Sequence, residues 1–138
     1  MTSSSSLQFD TIYHIYNRGN NREDIFIEER NYHYFFKLYP KYIIPKSETY
    51  AYCLLRNHFR LLVRIKSEEE IHAFIKTFRV SETRKVSTPS RQFGNLFNAC
   101  TKAFNKAYSR RGSLFEKPLH RKPVTEEDYF TSLATYIY

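Results

Sequence analysis

The chain has 138 residues, 41% hydrophobic and 17% aromatic, with a net charge of +8. That supports one folded domain and excludes a disordered tail, and no run approaches the roughly 18 apolar residues of a membrane span, so no membrane partner is expected. Charge is uneven: between Lys76 and Lys122 there are 12 Lys or Arg and two acids, Glu82 and Glu116, a local balance of +10 that suits a polyanion.

Met1 to Ser6 is polar with no apolar core, so residues 1–10 are expected to be a flexible tail and not a signal peptide, with a single domain over 11–138. Cys53 and Cys100 lie inside apolar patterns and neither has zinc-finger spacing. They are expected to be free core thiols of a reducing cytoplasm.

Thr11 to Arg18 is a strand candidate ending in the turn Arg18-Gly19-Asn20-Asn21. A helix follows, with Tyr32, Phe35, Phe36, Tyr39, Tyr42 and Ile43 repeating at three and four, Glu28 and Glu29 in its first turn and Pro45 after its end. Tyr50 to Leu55 is a second strand, and Arg56-Asn57 a tight connection. From His58 onward the chain alternates. Phe59, Leu61, Val63 and Ile65 share one face of a strand, and His58, Arg60, Leu62 and Arg64 the other. A His-x-His pair here could grip one metal ion, but the second position holds Arg60.

Ser67-Glu68-Glu69-Glu70 reads as a capping box opening a helix with Ile71, Phe74, Ile75 and Phe78 on its buried stripe. Val86 to Gly94 reads as a loop. Leu96, Phe97, Cys100, Ala103, Phe104 and Ala107 make an inserted amphipathic helix whose wet face carries Lys102, Lys106 and Arg110. Leu114 to Lys122 is a strand that Pro118 assigns to a sheet edge. Thr125-Glu126-Glu127-Asp128 opens a final helix, expected to be cut short at Tyr138. The order predicts an α+β fold: a ferredoxin-like βαββαβ sandwich with an antiparallel sheet, two helices on one face and the other face open under His58, Arg60 and Arg64.

Four ordered segments carry a resemblance. Tyr13-His14-Ile15-Tyr16-Asn17-Arg18-Gly19-Asn20-Asn21-Arg22 resembles the opening motif of the REP-associated tyrosine transposases, a branch of the one-tyrosine HUH single-strand transposases. Asn57-His58-Phe59-Arg60-Leu61-Leu62 resembles their Asn-His-Phe-His-Leu-Leu segment. Gly112-Ser113-Leu114-Phe115-Glu116-Lys117-Pro118 resembles the approach to their last strand, and Ala134-Thr135-Tyr136-Ile137 the start of their tyrosine helix.

The resemblance implies a ferredoxin-like fold and a partner of single-stranded or hairpin DNA, and it leaves room for a homodimer. It implies metal-assisted nicking and joining through a 5′-phosphotyrosine at Tyr136, with magnesium or manganese held by His58, a second histidine and a residue beyond the tyrosine. Here Arg60 replaces the second histidine, the third position lies past Tyr138, and Arg56 stands where a proline is usual. Arginine has no lone pair to offer a metal. The chemistry is therefore expected to be impaired in this copy. The alternative is a catalytically dead, domesticated module that binds DNA or RNA hairpins.

At about 100° per residue, Tyr136 falls at the edge of the apolar arc of Tyr129, Phe130, Leu133 and Ile137, where a phenol can reach a groove. His14 and His120 contact DNA or lie in strands as satisfied polar groups. Asn17, Arg18 and Asn20 offer donors to phosphates or base edges, or form an ordinary turn. Arg60, Arg64, Lys102, Lys106, Arg110, Arg111, Arg121 and Lys122 complete the expected DNA contacts.

Overall fold

A computed structural model of the chain describes residues 6–78, 88–127, 129 and 132. Four strands, β1 (Thr11–Arg18), β2 (Ser47–Leu55), β3 (His58–Ile65) and β4 (His120–Pro123), form one antiparallel sheet in the order β2-β3-β1-β4. This is the ferredoxin-like order, with β4 at an edge as the proline requires. The expected strand from Leu114 shortens to β4. Pro118 has no N–H to give a ladder, and before it the chain pairs with Gly19 only at Phe115.

Helix α1 (Glu29–Tyr42) is opened by a reciprocal cap in which Asn31 accepts from the Glu28 N–H and Glu28 from the Asn31 N–H. Helix α2 (Glu68–Phe78) uses the expected capping box, Ser67 N–H to Glu70 and Glu70 N–H to Ser67 Oγ. Helix α3 (Pro89–Tyr108) starts earlier than its periodicity indicates. Thr88 accepts from the Arg91 N–H and Pro89 occupies the first turn, so residues 89–94 are helix and not loop.

The core lies between one sheet face and α1 with α3. Phe59, Leu61, Val63 and Ile65 are all fully buried there, with Ile15, Phe35, Phe93, Leu96 and Phe104. The helix that pairs with α1 is thus α3, the predicted insert, and not α2. Ile71 and Ile75 of α2 are buried, but Phe78 is 65% exposed, so its stripe is narrower than the sequence indicates. Leu7 is buried in the main core and its N–H donates to Ser90 Oγ, so the tail is packed from there on.

The opposite face is not wholly open. Leu62 is fully buried at its centre with Ala51 and Val124, flanked by Ile12, Cys53 and Tyr129. Polar groups occupy the two ends of that face. The tip of the β2–β3 hairpin fixes one end. The Asn57 carbonyl accepts from Gly19 N–H, and the Arg56 carbonyl from Ile25 and Phe26 N–H. Neither tip residue is left-handed. Cys53 and Cys100 are free thiols, and burial pushes Cys100 up to about 12. No helix among the described residues is long and apolar enough to cross a membrane.

Candidate nucleic-acid interface

The antiparallel register places Tyr16 opposite Arg60 and Arg18 opposite His58, while β4 places His120 opposite Tyr16 and Lys122 opposite His14. Residues alternate across a strand, so all seven share the face away from α1 and α3. Five of them, Tyr16, Arg18, His58, Arg60 and His120, line a groove of about 500 Å³ together with Asn17, Asn57 and Phe59. Its walls are aromatic and cationic. The Tyr16 and His120 rings stack 5.2 Å apart, and the Arg60 guanidinium lies 5.8 Å from the Tyr16 ring centre.

Proton positions follow from the partners. Asn57 Oδ1 lies 2.9 Å from His58 Nδ1, and a carbonyl oxygen only accepts, so Nδ1 carries the proton and Nε2 the lone pair. Arg60 Nη1 lies 3.4 Å from His14 Nε2, and a guanidinium only donates, so His14 is neutral with its proton on Nδ1. Burial, then Arg60, then Lys122 lower the His14 pKa to about 4. Burial and then Arg60 lower that of His58.

The same charge bears on a metal. His58 offers one imidazole, and magnesium prefers oxygen ligands. Arg60 disfavours even a single added charge on His58. A dication about 5 Å from a guanidinium is repelled by about 7 kcal/mol at an effective dielectric of 20, before water screens it. Among the described residues no group of three or more His, Cys, Asp or Glu is placed to hold a metal ion. The residues present therefore do not fit the divalent site that the resemblance implies.

A solved structure of a REP-associated tyrosine transposase bound to a REP hairpin is similar to this chain, with a TM-score of 0.60 over 98% of this chain and 70% of that one, at 11% identity. This is the fold of a REP-associated tyrosine transposase. At that identity the likeness is one of fold. No family model and no curated protein matches the sequence.

Against this transposase fold, the expected contact residues separate into three groups. His14, Arg18, His58, Arg60 and Lys122 come together on the sheet face. Lys102, Lys106 and Arg111 are exposed on or just beyond α3, away from the groove. The rest are held by other parts of the fold. Arg64 bonds Asp10, Glu48 and Glu70 at 2.7, 3.0 and 2.8 Å, so its three nitrogens clamp carboxylates instead of facing a phosphate. Arg110 bonds Glu23, Asn105 and the Ser113 carbonyl and pins the loop after α3. Arg121 points to the α3 side, with Nη1 3.5 Å from Ser90 Oγ, because alternation sets it opposite to His120 and Lys122. Asn17 is buried, its amide donating to the Glu116 carbonyl and accepting from Arg18 N–H, and the Asn20 N–H is taken by Leu114.

Tyr136 lies outside the described residues. Tyr129 is half-buried against the second cluster, under the Lys122 ammonium at 5.7 Å. Tyr16 is not among the expected contacts, although its place two residues after His14 puts it on the same face. Nor is Glu116, which bridges Arg18 at 3.0 Å and lies 3.7 Å from His120.

Proposed function

We propose that this protein binds structured single-stranded DNA along the sheet face at Tyr16, Arg18, His58, Arg60 and His120, as a one-tyrosine transposase type whose metal-assisted nicking is impaired. The observation that carries this reading is Arg60 in the groove. It puts a permanent cation beside aromatic rings where the resemblance calls for a metal-binding histidine. Bases stack on rings, phosphates pair with guanidinium donors, and the His58 Nε2 lone pair can accept from a base-edge N–H. The hairpin held by the transposase of the same fold supports a hairpin as the ligand.

Chemistry at Tyr136 would need a phenol with an ordinary pKa near 10 to be activated. His58 Nε2 is the lone-pair base on this face, but the metal that would polarise the phosphate has no ligand set among the described residues. Arg60 substitutes in binding the anion and not in activating the nucleophile. A hairpin-binding module without cleavage shares this binding face and differs only in having no residual chemistry.

A labelled hairpin with single-stranded flanks tests both. Binding is expected in EDTA, weakening by about 0.7 log units per phosphate contact for each log unit of salt. On a denaturing gel with magnesium, no covalent adduct is expected. An adduct at Tyr136 would restore the full metal reaction, and no binding at low salt would remove the nucleic-acid reading.

A further inference from the structure

A second groove, of about 420 Å³, runs between α3 and the segment 112–119. Phe97, Phe115 and Leu119 give it an apolar floor, and Asn98, Thr101 and Ser113 line it with amide and hydroxyl groups. Lys102 and Lys117, both exposed, bring two ammonium groups to it, and Glu116, already paired with Arg18, brings one carboxylate. Asn17 lines this groove and the Tyr16–His120 groove alike, and its fixed amide makes a rigid partition between them.

Gly94 also lines it. Glycine weakens a helix interior, and here the usual reasons for it are missing. A Cβ at Gly94 meets nothing within 4 Å, and its φ is not positive. No neighbouring backbone presses on α3 at this point. What the missing side chain does is leave one end of the groove open. Gly94, Asn98 and Thr101 follow at spacings of four and three, so they share one helix face.

We propose that this side groove receives an unpaired nucleobase of the strand bound along the sheet face. The inference rests on the nucleic-acid reading above. A base has apolar faces and hydrogen-bonding edges, which match the phenylalanine floor and the Asn98 and Thr101 groups. Its flanking phosphates match Lys102 and Lys117. A phosphate alone would leave the apolar floor without a partner, and an apolar peptide would leave the lysines without one.

The test compares a blunt hairpin with the same hairpin carrying a three-nucleotide unpaired extension, one of whose bases is 2-aminopurine. In the wild-type chain the extension tightens binding by about tenfold and changes the 2-aminopurine fluorescence. Gly94→Leu fills the groove and suits a helix better than glycine, so its melting temperature is equal or higher. In that variant the tenfold gain and the fluorescence change disappear while the blunt hairpin stays bound. Lys102→Ala with Lys117→Ala reduces the gain and its salt dependence. An equal gain in wild type and Gly94→Leu overturns the side groove, as does wild type that binds the blunt hairpin and gains nothing from the extension. Wild type that binds neither DNA overturns the sheet-face reading and this one with it.

Discussion

The Arg60 guanidinium lies 3.4 Å from His14 Nε2, diagonally across the β1–β3 ladder on the face that also presents His58. Burial first, and this fixed cation second, hold the two histidines in their neutral forms. Arg60→Gln is expected to raise both histidine pKa values in an NMR titration. His14 stays below 6.5, because burial is the larger cause of its shift. Unchanged values would mean that Arg60 does not set the charge state of this face.

His14 also makes stability depend on pH. Unfolded, it takes a proton near 6.5; folded, only near 4. The unfolded chain therefore binds more protons between those values, and stability present above pH 6.5 is lost as pH falls towards 4. The loss from His14 is about 3 kcal/mol at most, and His58 acts in the same sense. His14→Gln should flatten urea-derived stability over that window. The Glu70 carboxyl, held at about 2 chiefly by its bond to Arg64, loses its contribution in a separate window between about 4.5 and 2.

Arg64→Ala removes three ion pairs to half-exposed carboxylates and is expected to destabilise the fold by about 1–2 kcal/mol. Its hairpin affinity should match wild type at equal salt and temperature, because that side chain is committed to the fold. A uniform weakening of DNA binding in a variant of unchanged melting temperature would return Arg64 to the contact set.

The two glycines Gly19 and Gly94 should respond with opposite signs. A Cβ at Gly19 collides with the Glu23 carbonyl, which belongs to backbone and cannot swing aside. Gly19→Ala should lower stability by about 1–3 kcal/mol. Gly94→Ala, in open space on a helix, should raise it by about 0.5–1 kcal/mol. Thermal melts of the two variants decide this directly.

The sequence made the β3 face legible because a period of two leaves no choice: Phe59 to Ile65 go to the core, and His58 and Arg60 go opposite. The same period separates Arg121 from Lys122, although composition groups them. What stayed hidden depends on partners far along the chain. Arg64 meets Asp10, Glu48 and Glu70, and local charge counting carries no sign of that clamp. The choice of α3 over α2 as the partner of α1 was equally hidden, since both are amphipathic. Their difference is bulk: α3 buries Phe93, Leu96, Phe97 and Phe104, whereas α2 buries two isoleucines. The Tyr136 assignment rests on the resemblance and on helical phase, and it lies outside the described residues.

The Arg64 clamp has an effect on how a ligand arrives. Along β3, one end of the face gathers Arg18, His58, Arg60 and His120 with one carboxylate, Glu116. The other end sets Arg64 and the nearby Lys66 among three carboxylates, Asp10, Glu48 and Glu70. The strand therefore carries a charge gradient along its length, separated at the middle by the apolar Leu62 cluster. A polyanion drifting onto this surface is drawn to the His58 end and repelled from the Arg64 end before any contact forms. The gradient selects the approach direction and the polarity of the first encounter, and salt at about 0.1 M screens it beyond about 10 Å.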